Sequence, residues 1–449
     1  MNTILMADSY KFSHWLQLPE GVSSSYSYIE SRGGRWKETL FFGLQMFLKE
    51  YLSKPITKEM VDEAEEFILA HGEPFNRAGW DYIVNNLGGK LPIEIKAVRE
   101  GTVVPTGNIL VSITNTDDKC YWLPSFLETM LLRSVWYPTT VATNSYECKK
   151  IILRYLELSG DPATIAFKLH DFGGRGVSSS ESAAIGGCAH LVNFMGSDTV
   201  EGILAAKKYY NEPMAAFSIP AAEHQTITSW GKENEAEAYR NMLRQFAKPE
   251  SLVAVVSDSY DIYNACRNIW GDKLKQEVID TGATIVVRPD SGNPVEVSLK
   301  CVELLAEGYG YTVNEKGYKV LPSCIRVIYG DGINETSIEN ILSNLTKNGW
   351  SADNIGFGMG GALLQQIDRD TLKFAMKCSS ITINGKEMDV FKDPITDSGK
   401  KSKKGRLSLI KENGNYKTVP ECENDELIVV YRNGVLLNEQ SLAEIRARA

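Results

Sequence analysis

The sequence predicts an α/β protein with two parts: a (β/α) barrel-like domain over residues 161–389, and an α+β domain formed by residues 1–160 together with the tail 390–449. Three observations carry this expectation. Six short apolar runs, at 163–176, 215–224, 252–259, 284–292, 325–332 and 354–361, each end in polar or glycine-rich sequence and lead into a helical pattern. The intervening segments place their apolar residues on one helical face: Ile262, Ala265, Cys266, Ile269 and Trp270 after one run, and Ile338, Ile341, Leu342 and Leu345 after another. Further strands over 191–195 and 374–383 bring the count towards eight, which favours a barrel over an open doubly wound sheet.

Taken in order, residues 39–52 and 57–70 read as helices, with Thr57 placed to cap the second. Between 91 and 114 the apolar residues Ile93, Ile95, Ala97, Val103, Ile109, Val111 and Ile113 fall at strand spacing around Gly and Pro turns. A helix follows over 122–135. The barrel runs then begin, and the stretch TIVVRPDSGNP at 284–294 shows their grammar most clearly. Ile285, Val286 and Val287 suit a buried parallel strand; Arg288, Asp290, Ser291, Gly292 and Asn293 form a polar loop; Pro294 is placed to start a helix. The tail returns as strands and hairpins, and its basic run, Lys400, Lys401, Lys403, Lys404 and Arg406, reads as a solvated loop, with a phosphate clamp as the alternative.

Composition narrows the function. The chain has 449 residues, 43% hydrophobic and 23% charged, enough for a large core. Its formal charge of -9 is the opposite of a general nucleic-acid footprint, so a polyanionic ligand requires a local basic pocket. Eight cysteines form no CxxC pair, which suggests reduced thiols and a cytoplasmic protein. The start, MNTILMADSYKF, does not read as a signal peptide, and no apolar stretch approaches membrane-spanning length.

Strand-end residues carry the candidate chemistry: His170, Asp171, Phe172 and Arg175; Glu223 and His224; Asp258; Arg288 and Asp290; Gly330, Asp331 and Gly332; Gly358, Gly360 and Gly361. In a barrel these converge on one face. The late glycine loops let backbone N–H groups approach phosphate, arginines take the remaining charge, and the carboxylates suit Mg²⁺ or sugar hydroxyls. P-loop and HExxH patterns do not occur, and the GxGxxG spacing at Gly356–Gly361 has no acidic residue about twenty positions on to complete a dinucleotide fingerprint, which disfavours P-loop, nicotinamide-cofactor and zinc chemistry. A phosphosugar or nucleotide site follows.

The segments MADSYKFSH, YSYIESRG, WYPTTVATNS, LHDFGGRGVSS, PAAEHQTITSWG, VVSDSYDIYNA, RPDSGNP, GDG, FGMGGALLQ and SKKGRLSL, in that order, resemble the nicotinamide phosphoribosyltransferase family from the first ten residues to beyond Arg406. The resemblance implies a type II phosphoribosyltransferase-like barrel in a homodimer with active sites at the subunit interface. It also implies condensation of nicotinamide with 5-phosphoribosyl 1-diphosphate, with Mg²⁺ as cofactor and ATP as a coupled substrate. Carried over, Phe172 and a second subunit's Tyr10 sandwich the pyridine ring, Asp198 accepts from the carboxamide, and Arg175 and Arg288 line the ring and ribose. Asp290 holds the ribose hydroxyls. Asp258, Gly330, Asp331, Gly360 and Gly361 belong to the ribose and phosphate, and Arg32, Arg369, Lys377, Lys392 and Lys400 to the phosphate and diphosphate groups, partly across the dimer. His224 resembles the histidine that ATP phosphorylates.

The sequence departs from vertebrate-type members at Gly174, where they carry tyrosine, and at Ala254, where they carry serine. Asp198 bears on base choice, because nicotinate's carboxylate is repelled where an amide can donate. The alternatives are a nicotinate phosphoribosyltransferase, a barrel isomerase or aldolase acting on a phosphosugar, and a non-catalytic nucleotide-binding or signalling protein. The second lacks an obvious strand-end lysine; the third is disfavoured because Arg288, Asp290 and His224 are all present.

Overall fold

The computed structural model describes residues 2–396 and 401–449. Its two compact units are Met1–Thr143 with Lys208–Glu212 and Ile367–Ala449, and Asn144–Lys207 with Pro213–Gln366.

The first unit is built on a seven-stranded antiparallel sheet in the order Lys386–Asp389, Phe374–Ile383, Val22–Ser31, Ile109–Asn115, Ile93–Ala97, Ile428–Arg432 and Val435–Leu436. Ile93, Ile95 and Ala97 alternate inward with Glu94 and Lys96, as their spacing predicts, and bury into the core. The tail adds Ile428–Arg432 to this sheet and the hairpin Leu407–Glu412 with Asn415–Pro420. Phe374–Ile383 pairs with Val22–Ser31 here, so the expectation that it belongs to the barrel is corrected. Its apolar run identifies a buried strand and not the sheet that receives it.

The helices of this unit differ at their ends from the expected ones. Lys58–His71 starts after Thr57, whose side chain accepts from the Met60 amide. The helix expected over 39–52 begins only at Leu44, because Glu38–Leu40 pairs with Val103–Pro105 and Gly43 turns the chain at φ 104°. Any larger residue at Gly43 would put a Cβ 2.3 Å from Pro138 Cγ. The helix expected over 122–135 is Leu123–Phe126 followed by Glu128–Ser159, which continues through Pro138. Of the basic run, Lys403 pairs with the buried Glu30, Arg406 lies 3.4 Å from Glu387 and Lys401 lies 3.2 Å from Asp393. Lys400 lies outside the described residues.

The second unit holds a six-stranded parallel sheet in the order Gly196–Ser197, Leu169–Asp171, Ile355–Met359, Ile325–Tyr329, Thr284–Arg288 and Leu252–Val256. Residues 215–222 bridge its two edges: Phe217 pairs with Gly196 and Ala221 with Ala254, both parallel. The segment is too irregular to count as a strand. Residues 191–195 are not a strand either; the short strand follows them at Gly196–Ser197. The ring is thus six strands and one irregular segment.

Helices cover this sheet with the faces the sequence predicts. Ile338, Ile341, Leu342 and Leu345 of Glu335–Lys347 are buried, as are Ala265, Cys266, Ile269 and Trp270 of the π-helical stretch Ala265–Lys273. Ala254, Val286 and Ile328 form a small apolar cluster of their own, against which Phe172 and Ile219 pack. Among the described residues, no helix is long and apolar enough to cross a membrane, and all eight cysteines are free thiols.

Candidate active site

A cavity of about 520 Å³ opens in the second unit at the carboxyl ends of the parallel strands. Its wall contains Phe172, Gly174, Arg175, Asp198, Glu223, Arg288, Asp290, Gly330, Asp331, Gly360 and Gly361, so eleven of the residues singled out from sequence meet there. Each arrives where its strand ends and the backbone turns.

Phe172 follows Leu169–Asp171, and its amide donates to the Met359 carbonyl of the neighbouring strand (2.9 Å). A Cβ on Gly358 would lie 1.9 Å from the Phe172 ring, so the ring occupies the space a side chain would need. A Cβ on Gly330 would lie 3.3 Å from both Phe172 Cε2 and Asp290 Oδ1, which brings the aromatic ring and the carboxylate together over that glycine. At Gly174 a Cβ would sit 3.1 Å from Thr199 Oγ1.

The loop after Thr284–Arg288 is held by its own polar groups. Asp258 Oδ2 accepts the Asp290 amide (2.9 Å) and the Ser291 hydroxyl, and the buried Tyr329 hydroxyl donates to the carbonyl of Ser291 (2.9 Å). Asn293 then caps Pro294–Tyr309 by accepting from the amides of Val295 and Glu296. Burial pushes the Asp290 carboxyl above its ordinary range; Arg288 and His224 oppose the shift and Asp258 adds to it. Arg288 Nη2 stands 3.8 Å from Asp290 Oδ2, while its Nε is buried without a hydrogen-bond partner.

His224 opens the short helix His224–Thr228, behind the Glu223 cap. Its Nδ1 is 3.0 Å from Ser259 Oγ, and its Nε2 faces Asp290 Oδ2 (3.6 Å) and Asp258 Oδ1 (3.8 Å). Ser259 thereby sets the ring's orientation, leaving Nε2 towards the carboxylates. Ser218, on the irregular segment, donates to Asp198 Oδ1. Sequence reasoning missed Ser218, Ser259 and Thr199, although each lies beside a named motif. A small hydroxyl carries no periodic or charge signal.

The other candidates lie in the first unit. Tyr10 is 55% exposed on the 3-10 turn Ser9–Leu16, its ring 5.0 Å from that of His14. The next residue, Lys11, is buried and paired with Glu128. Arg32 follows Val22–Ser31, with Nε 3.4 Å from Glu30 and Nη2 buried without a partner. Lys377 sits opposite Tyr28 in the sheet; burial lowers its ammonium's pKa, and Arg32, Lys392 and Lys11 lower it further against Glu128. Lys392 is fixed through its backbone, which exchanges hydrogen bonds with Ser402 (2.8 and 2.9 Å). Arg369 lies 3.2 Å from Asp370 on an exposed turn.

Among the described residues, no group of three or more His, Cys, Asp or Glu side chains is arranged to hold a metal ion. Asp258 Oδ1, however, is buried with no hydrogen-bond partner, beside Asp290. One or two carboxylates of this kind suit Mg²⁺, which takes its remaining ligands from water and substrate phosphates.

Residues 167–436 match the nicotinate phosphoribosyltransferase (NAPRTase) family, and residues 2–95 match the nicotinamide phosphoribosyltransferase N-terminal domain. The chain is 55% identical over 460 residues to the nicotinamide phosphoribosyltransferase of Xanthomonas campestris pv. campestris (strain 8004), covering 100% of this chain and 98% of that one. It is 32% identical over 492 residues to that of Acinetobacter baylyi, covering 100% and 97%. Among solved structures, it is similar to the nicotinate-nucleotide pyrophosphorylase from Pyrococcus furiosus, with a TM-score of 0.62, 17% identity, and 99% and 94% of the two chains covered. Human nicotinic acid phosphoribosyltransferase gives a TM-score of 0.60 at 15% identity, covering 98% and 92%. At these identities the structural likeness is one of fold.

Proposed function

The chain belongs to the nicotinate phosphoribosyltransferase family, and from that premise we propose that it joins nicotinamide to 5-phosphoribosyl 1-diphosphate, giving nicotinamide mononucleotide and pyrophosphate in NAD salvage. One observation in the site supports this most directly. Phe172 presents an aromatic wall seated on Gly358, and Asp290 meets it over Gly330 in the cavity that also contains Asp198. A flat neutral ring is held by stacking, its amide by a carboxylate acceptor, and a ribose by the neighbouring carboxylate.

Positioning does most of the work in the reaction we infer. The pyridine nitrogen carries no proton to lose, so no strong general base is needed. Its lone pair forms the bond to the sugar carbon as the bond to diphosphate breaks, and the electrons leave with pyrophosphate. Asp290 orients the ribose hydroxyls while positive charge develops on the sugar, and Arg175 and Arg288 face the phosphate side. The amides around Gly330, Asp331, Gly360 and Gly361 seat the ribose and its phosphate. Asp258 and Asp290 are the residues that would hold Mg²⁺, which would supply neutralisation of charge on the departing diphosphate when bound.

We extend the reading in three ways on the strength of the family resemblance. The enzyme is a cytoplasmic homodimer in which a second copy supplies Tyr10 as the opposite face of the ring sandwich. Arg32, Arg369, Lys377, Lys392 and Lys400 serve the phosphate and diphosphate groups. His224 accepts the γ-phosphoryl group of ATP on a ring nitrogen, releasing ADP, and the phosphohistidine raises the yield of product.

The deciding experiment gives the purified protein Mg²⁺, 5-phosphoribosyl 1-diphosphate and either nicotinamide or nicotinate, and separates the two mononucleotides chromatographically. Nicotinamide mononucleotide is the expected product. Product from nicotinate alone reverses the base assignment, and none from either base overturns the enzymatic reading.

A further inference from the structure

Asp171 ends the strand Leu169–Asp171 and is fully buried. Its Oδ1 accepts the Gly173 amide at 2.7 Å, and that bond folds the chain back through the turn from which Phe172 and Arg175 project. Its Oδ2 makes no well-formed hydrogen bond, and the Thr199 hydroxyl, which lines the cavity, is the side-chain donor that pulls on the carboxylate. In the sheet, Asp171 pairs with Ser197 one strand away, and its carbonyl accepts the amide of Asp198 (3.0 Å). A second carboxyl group therefore lies within electrostatic range of Asp198 and out of reach of water.

We infer that Asp171 is a positioning residue that also sets base selection, its buried carboxylate holding the Phe172–Arg175 turn and adding to the negative field that Asp198 directs at the ring substituent. The inference rests on the proposed pyridine site. A nicotinamide carboxamide presents N–H donors to this field, whereas a nicotinate carboxylate meets two negative groups with little water to screen them. The carboxyl's own titration then becomes visible in the choice of base. Burial, with Asp198 and Glu201 adding, pushes Asp171 up to about 6 against the pull of the Gly173 amide and the Thr199 hydroxyl. Above that pH the second charge is present, and below it the charge is lost. Asp198 and Glu201 are the carboxylates that face it. His170, on the same strand, is lowered by burial and raised by Asp198, and its protonation would act in the same direction.

The test is the ratio of kcat/KM for nicotinate over nicotinamide in wild type and Asp171→Asn, from about pH 5.5 to 8. Asparagine keeps an oxygen for the Gly173 amide and removes the charge. At neutral pH the ratio is expected to rise about tenfold in the variant, the scale of one charge acting over several ångströms of protein. In wild type it rises as pH falls through about 6. In Asp171→Asn that rise disappears, which separates Asp171 from His170. A variant ratio equal to wild type at neutral pH, or a pH dependence that survives the substitution, overturns the inference. If the variant does not fold, the wild-type profile decides, and a flat one overturns it. Should wild type form no product from either base, the functional reading fails separately. The ratio of dissociation constants for the two bases, measured calorimetrically over the same pH range, then carries the same expected and overturning outcomes.

Discussion

His224 Nε2 and Asp290 Oδ2 stand 3.6 Å apart at the ends of two different strand connections, with Asp258 behind both. This is close enough for charge on one group to be felt by the other and too long for a hydrogen bond. It places the histidine proposed to carry phosphate beside the carboxylate proposed to hold the ribose.

Asp290→Asn separates the stability cost of this arrangement from its use. An acid whose folded pKa is raised costs stability once pH exceeds that pKa, because the charged form is penalised only in the folded state. Removing the charge at neutral pH is therefore expected to keep or raise the melting temperature. Turnover is expected to fall by about 10²-fold or more, the scale of losing one preorganised electrostatic group. Calorimetry and steady-state kinetics on the same preparation check both. A fall in melting temperature together with unchanged kcat would reverse both assignments.

Asp198, proposed to meet the ring substituent, accepts the Ser218 hydroxyl and keeps a carboxylate at the cavity wall. Asp198→Asn is expected to narrow the preference for nicotinamide over nicotinate, because the repulsion of a second carboxylate is lost while an amide acceptor remains. The measurement is the ratio of kcat/KM values for the two bases at fixed pH. An unchanged ratio would remove Asp198 from base selection.

Gly358→Ala tests the aromatic wall. The new Cβ would fall 1.9 Å from Phe172 Cε2, so the ring must move. Overpacking of this kind costs about 1–3 kcal/mol. KM for nicotinamide is expected to rise several-fold more than KM for 5-phosphoribosyl 1-diphosphate, since the displaced group is the one proposed to stack on the base. Equal changes in both would mean that Phe172 does not form the base wall.

The sequence made the second unit's strand ends readable because each combines two signals, an apolar run and an abrupt change to charge or glycine. Ile285, Val286 and Val287 followed by Arg288 and Asp290 is the clearest case. Phe374–Ile383 carries the first signal without the second, and the run alone could not choose between two sheets. Residues 215–222 close the ring with Pro220 among them, so the expected run is there but its pairing reduces to isolated bridges. The helix expected to end at 135 continues through Pro138, whose ring packs against a glycine far away in sequence. The supporting hydroxyls of Ser218, Ser259 and Tyr329 act through distances that only the fold creates.

The proposed sharing of sites between two copies makes a quantitative prediction from Tyr10, an exposed aromatic in the first unit, and Asp290, in the cavity of the second. Tyr10→Ala and Asp290→Ala homodimers should each be nearly inactive. If each site draws Tyr10 from one copy and Asp290 from the other, a mixed dimer places both lesions in one site and leaves the other intact. Random exchange between equal amounts then restores about a quarter of wild-type activity, half the dimers being mixed and half of their sites sound. Activity is measured after subunit exchange, with differently tagged copies showing that mixed dimers have formed. If mixed dimers form and activity stays at the level of the parents, Tyr10 does not act on its partner's site.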